Sequence, residues 1–113
     1  MDISTEIQKL KQDGLTVRIQ HERATPTAVK VALAVRGNTS RKLEQPEVIP
    51  TFELKQKGLP VSPFSGRTTV RILEDDQLIA KGVAICSPRD NFVKRVGLAK
   101  ALGRALADLR REC

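Results

Sequence analysis

The amino-acid sequence predicts an α+β fold: an antiparallel sheet of about four strands, arranged as two hairpins, with an N-terminal helix and a long C-terminal helix packed on one face. Three observations carry that prediction. Apolar residues near both ends recur at helical spacing, the residues between them alternate with a period of two, and turn-forming residues separate the alternating runs. The 113 residues fit a single domain, long enough to bury one layer of helices on one sheet.

The elements follow in order. Ile3, Ile7 and Leu10 form one stripe of a short amphipathic helix, with Asp2 as its cap and Gly14 placed to stop it. From Thr16 the period changes: Val17, Ile19 and His21 alternate with Arg18, Gln20 and Glu22. Across the turn-like Ala24-Thr25-Pro26-Thr27, Val31, Leu33 and Val35 alternate with Lys30, Ala32, Ala34 and Arg36, which reads as the second strand of a half-buried hairpin. Residues 37–66 hold four prolines and read as a long irregular connection, functional, mobile or hiding a short element. One such element is a helix over Thr51 to Gly58, capped by Thr51 and stopped by Gly58.

A second hairpin sets Thr68, Val70 and Ile72 in alternation with Thr69 and Arg71, turns at Glu74-Asp75-Asp76-Gln77, and returns over Leu78 to Cys86. One face of the returning strand carries Leu78, Ala80, Gly82, Ala84 and Cys86, small enough for a helix to lie close over it. Ser87-Pro88-Arg89-Asp90 then matches a capping box with proline at the first helical position, so the C-terminal helix is expected to start there and run to about Arg111. Phe92, Val96, Leu98, Ala99, Leu102, Ala105, Leu106 and Leu109 gather on its broad apolar face. Gly97 and Gly103 each cost about 1 kcal/mol relative to alanine, a cost that close packing on the small strand face would explain.

Composition excludes several classes. The chain is 40% hydrophobic and 29% charged, an ordinary globular balance. Its apolar runs fall far short of the roughly 20 residues that span a bilayer, and Met1-Asp2-Ile3-Ser4 lacks the basic and apolar regions of a signal peptide, so a soluble cytoplasmic protein without membrane partners is expected. Two cysteines, Cys86 and Cys113, and one histidine form no metal cage of familiar spacing, so no metal or cofactor is expected. His21 reads as a structural histidine rather than a general base, and Glu74, Asp75 and Asp76 as a solvated turn rather than a cation site. Cys86 reads as a small core residue, although a helix start and Arg89 beside it would lower a thiol pKa. Gly66, Gly82, Gly97 and Gly103 form no phosphate loop. The expectation is therefore a non-enzymatic protein.

Charge points to a partner. The chain carries 20 Lys and Arg against 13 Asp and Glu, a formal +7. Residues 89–113 alone hold seven basic and three acidic side chains. Lys100, Arg104 and Arg111 fall within about 40° of one another on a helical wheel, the footprint of a phosphate-binding surface. Arg18, Lys30, Arg36 and Arg71 lie on outward strand faces, where Arg18 and Arg71 would assist. The expected partner is DNA or RNA held by its backbone. Aromatic residues are only 3%, all phenylalanine, so a stacking platform for single strands is missing, as is any helix-turn-helix or zinc-finger spacing. The competing expectation is a protein-interaction module or a phage-type inhibitor of a host protein, with Val48, Ile49, Phe52 and Phe64 as apolar anchors.

The block Gly82-Val83-Ala84-Ile85-Cys86-Ser87-Pro88-Arg89-Asp90-Asn91-Phe92, with Gly97 and Ala101-Leu102-Gly103-Arg104-Ala105-Leu106, resembles a strand-to-helix signature of small, mostly uncharacterised phage and mobile-element accessory proteins. The resemblance implies an accessory role without a mechanism. Where such proteins often carry Gly-Arg in the helix, this chain has Gly97-Leu98. In outline the order of elements is also similar to double-stranded-RNA-binding domains, whose lysine-rich helix start is absent here. Residues 101–106 resemble the helix after the hairpin in single-strand annealing recombinases.

Overall fold

The computed structural model describes residues 2–36 and 47–111. In chain order the elements are α1 (Ile3–Gln12), β1 (Thr16–Arg23), α2 (Pro26–Arg36), β2 (Ile49–Pro50), α3 (Thr51–Gln56), β3 (Phe64–Glu74), β4 (Gln77–Asn91) and α4 (Lys94–Arg111). The fold is α+β, with a four-stranded antiparallel sheet in the order β2-β1-β3-β4 and both terminal helices packed against it. The chain divides into two compact units, one drawn from residues up to Gln20, from Thr68–Ala84 and from Lys94 onward, the other from His21–Arg67 and Ile85–Val93.

The first unit is built by the periodicities that the sequence displays. Leu10 of α1, Val70 and Ile72 of β3, Ala80 and Ala84 of β4, and Ala101, Leu102, Ala105 and Leu106 of α4 form its buried core, with Ile3, Ile7, Val17 and Leu98 packed around them. The expected small face of β4 is occupied as anticipated: Ala80 and Ala84 are buried under α4, and Gly82 lies beneath the α4 backbone at Ala101 and Ala105. Gly97 serves the same closeness, since a Cβ there would sit 2.6 Å from Thr68 Oγ1.

Asp2 caps α1 as expected, accepting from the Ser4 N–H at 3.1 Å and the Thr5 hydroxyl at 2.7 Å. The Thr5 hydroxyl bond is the main cause holding the Asp2 carboxyl below its ordinary pKa. Helices α1 and α3 end alike. Gly14 (φ 81°) and Gly58 (φ 66°) turn left-handed, and the next residues, Leu15 and Leu59, donate back to the Leu10 and Leu54 carbonyls at 3.0 Å. This is the Schellman arrangement, in which glycine avoids a Cβ penalty. Between β3 and β4 both turn residues, Asp75 and Asp76, have positive φ, as a two-residue hairpin of the primed type requires, and residues 74–77 are exposed.

Two expectations fail and a third holds only in part. The run expected as the second strand is helix α2. The Thr25 hydroxyl accepts from the Ala28 N–H at 3.2 Å and Pro26 takes the first helical position, so the residues read as a turn are a helix start. A short run such as Val-Lys-Val-Ala-Leu-Ala-Val fits both periods, and the cap decides. Only one of the two expected hairpins therefore exists, and the fourth strand is instead β2, pairing antiparallel with β1 through Glu22 opposite Pro50 and Arg23 opposite Ile49. Replacing Thr25 with alanine should cost about 1 kcal/mol of stability in urea denaturation; an unchanged midpoint would mean that α2 stands without its cap.

The second, the connection, holds in part: the helix expected over Thr51 to Gly58 is present as α3 and stops at Gly58, but its cap is not the expected one. Residues 37–46 lie outside the described residues, but 49–56 form β2 and α3, and β3 begins at Phe64. Thr51 does not cap α3: Pro50 holds that position, and the Thr51 hydroxyl donates to the His21 carbonyl at 3.0 Å. The third concerns the start of α4. Ser87-Pro88-Arg89-Asp90 does not open a helix; β4 stays extended through Asn91 and α4 begins at Lys94. Phe92, expected on the helix, donates its N–H to the Pro63 carbonyl at 2.8 Å and lays its ring under the Arg23 guanidinium, 4.4 Å from the centroid, with the His21 ring edge-on at 5.8 Å. A capping box contributes about 1 kcal/mol, less than the combined gain of sheltering an aromatic ring and stacking a cation on it.

Candidate nucleic-acid interface

Helix α4 acquires its two sides from residue spacing alone. Burial of Ala101, Leu102, Ala105 and Leu106 fixes the inner face, and Lys100, Arg104 and Arg111 then stand exposed on the outer one. The helix carries six basic side chains and a single acidic one, Asp108. Asp108 is half-buried and its carboxylate accepts from the Lys81 N–H at 3.0 Å. One helical turn away, the Arg104 guanidinium donates to the Val83 carbonyl. Because β4 is an outer strand of the sheet, these two side chains cover peptide groups that the edge would otherwise present to solvent.

That arrangement separates the basic residues by role. Lys100 and Arg111 project from the outer face, with the exposed Arg110 to one side of them, while Lys94 and Arg95 are exposed in the first turn of the helix and point elsewhere. Arg104 remains exposed but has one guanidinium nitrogen committed to the sheet edge. Arg18 and Arg71 belong to a different surface. They alternate with Val17, Val70 and Ile72, which face the core beneath α4, so they point from the face of the sheet turned away from that helix. Arg18 is exposed, and Arg71 donates to Gln20 Oε1 at 3.3 Å. The five anticipated residues thus form two groups on opposite sides of the first unit. Lys30 lies exposed on α2 rather than on a strand, and Arg36 is also within that helix.

The second unit holds a polar cluster that local spacing does not reveal. Glu22, 8% exposed, receives both Nε (2.8 Å) and Nη2 (2.6 Å) of Arg67 on one carboxylate oxygen. Arg23 donates to the Ser62 carbonyl at 2.7 Å while its Nε is buried without a partner among the described residues. Burial pulls the Arg23 guanidinium below its ordinary pKa, with Cys86 opposing. The Cys86 thiol lies among the carbonyls of Ser87, Asp90 and Asn91, at 3.7, 3.3 and 3.5 Å. It does not stand at a helix start, so the dipole argument for a lowered thiol pKa does not apply.

Among the described residues no group of three or more His, Cys, Asp or Glu side chains is placed to hold a metal ion, and no helix is long and apolar enough to cross a membrane. Comparison of the chain with protein-family models, with curated proteins and with solved structures returns no match.

Proposed function

We propose that this is a small non-enzymatic accessory protein that binds nucleic acid by its phosphate backbone, through the outer face of α4. The observation that carries the reading is the basic stripe of that face: Lys100, Arg104 and Arg111 within about 40° of one another, with the one carboxylate of α4 drawn in to the Lys81 N–H. Such a surface raises the local concentration of a polyanion and releases its counterions on contact. The face shows no aromatic ring, which favours duplex backbone over stacked single strands. Arg18 and Arg71, across the sheet, are left as a lesser second contact.

Fluorescence anisotropy with labelled duplex and single strands across a salt series tests this. We expect log K to fall steeply with log salt, and Lys100→Gln with Arg111→Gln to reduce the slope by about 2 for every sequence alike, while Arg18→Gln reduces it by well under about 1. A flat salt dependence, or no binding at about 50 mM salt, would sink the reading. The exposure of Phe52 (61%) and Phe64 (40%) favours a second reading, a protein-interaction module anchored on those rings. It predicts a host protein retained after nuclease treatment and lost with Phe52→Ser.

A further inference from the structure

Between the start of α1 and the first half of α4, the first unit carries an open groove of about 740 Å³, within the usual range for pockets that take a ligand or a few side chains. Its floor is aliphatic, formed by Ile3, Val96 and Ala99. Val96 is 48% exposed, although it shares its helix with a deeply buried face. On the α4 wheel Val96 and Ala99 lie between Arg95 and Lys100, so an apolar strip is bordered by a cation on each side. The lining also holds one carboxylate, that of Asp2, which accepts from the Ser4 N–H and the Thr5 hydroxyl and keeps its charge, so the two cations outnumber it.

The complementary surface is an apolar row bordered by anions. A nucleic-acid strand fits poorly, because its phosphates gain nothing from an aliphatic floor and its bases find no ring on which to stack. An amphipathic helix with leucine-like residues at positions i, i+3 or i+4 and i+7, flanked by Glu or Asp, matches both the strip and its borders. We infer that the groove between α1 and α4 is a docking site for an acidic amphipathic helix of a partner protein. The inference stands apart from the nucleic-acid reading, since Arg95 and Val96 carry it, and the two meet only at Lys100.

The test uses the whole chain, ¹⁵N-labelled, and a synthetic peptide of about 14 residues with leucines in that pattern between glutamates, set against a scrambled peptide of the same composition. Saturable shifts should be confined to the amides of Ile3, Ser4, Val96, Ala99 and Lys100. Val96→Ser and, independently, Arg95→Glu should each weaken the patterned peptide about tenfold while Arg111→Gln leaves it unchanged. Val96 is half-exposed and Arg95 is exposed, and thermal melts check that both variants fold. Equal binding of the scrambled peptide, or indifference to both variants, overturns the proposal. So does a duplex that shifts the same amides and depends on Val96, or a dimer in sedimentation that Val96→Ser abolishes, since nucleic acid or a second copy would then be the occupant.

Discussion

Gly82→Ala is expected to destabilise the protein by about 3 kcal/mol or more, a large share of the roughly 5–15 kcal/mol that holds a domain of this kind together. A Cβ at this position would press into the Ala101 carbonyl oxygen and the Ala105 nitrogen, both backbone atoms of α4 and both well inside van der Waals contact. No side-chain rotation relieves such a clash; the helix must lift from the strand. Lifting it separates Ala80 and Ala84 from Ala101 and Ala105, and small residues lose their contacts abruptly because they have no length with which to follow. In a thermal melt the loss corresponds to a fall in Tm of about 12 °C or more. A melt within about 2 °C of the parent would mean that α4 does not depend on this closeness.

The same contact shows why the first unit is legible in the sequence. Small residues alternate along β4 and recur at helical spacing along α4, so each surface can be recognised without knowledge of the other. The outer basic stripe follows, because the apolar side of a helix locates its polar side. Alternation also places Arg18 and Arg71 on the face turned away from α4, a consequence that charge totals alone conceal. The second unit is held by partners remote in sequence: Arg67 with Glu22 across 45 positions, Arg23 with Ser62 across 39, Phe92 with Pro63 and His21. No spacing rule announces such pairs. Local signals then mislead in two ways: the capping box at Ser87 goes unused because a tertiary contact of about one or two kcal/mol outweighs it, and the run of α2 fits two periods until its own cap at Thr25 decides.

Removing Arg67 is expected to cost about 3 kcal/mol, whereas neutralising its partner with Glu22→Gln should cost about 1 kcal/mol. The pair is asymmetric: the Glu22 side chain is 11% exposed and that of Arg67 41%. Arg67→Ala deprives a carboxylate deep in the fold of the guanidinium that satisfies it, and an ion in that position has little access to water. Glu22→Gln leaves a guanidinium that already reaches solvent and an amide oxygen that still accepts from it, so little desolvation is left uncompensated. Urea denaturation of the two single variants and of the double variant measures the difference. The double variant should be more stable than Arg67→Ala alone, since the second change removes the stranded charge. Because the carboxylate is shielded, the penalty for Arg67→Ala should persist at about 0.5 M salt, where an exposed pair would be screened. Equal penalties for the two single variants, or a penalty that vanishes in salt, would show that the pair acts as a surface ion pair and that the second unit is held by its other contacts.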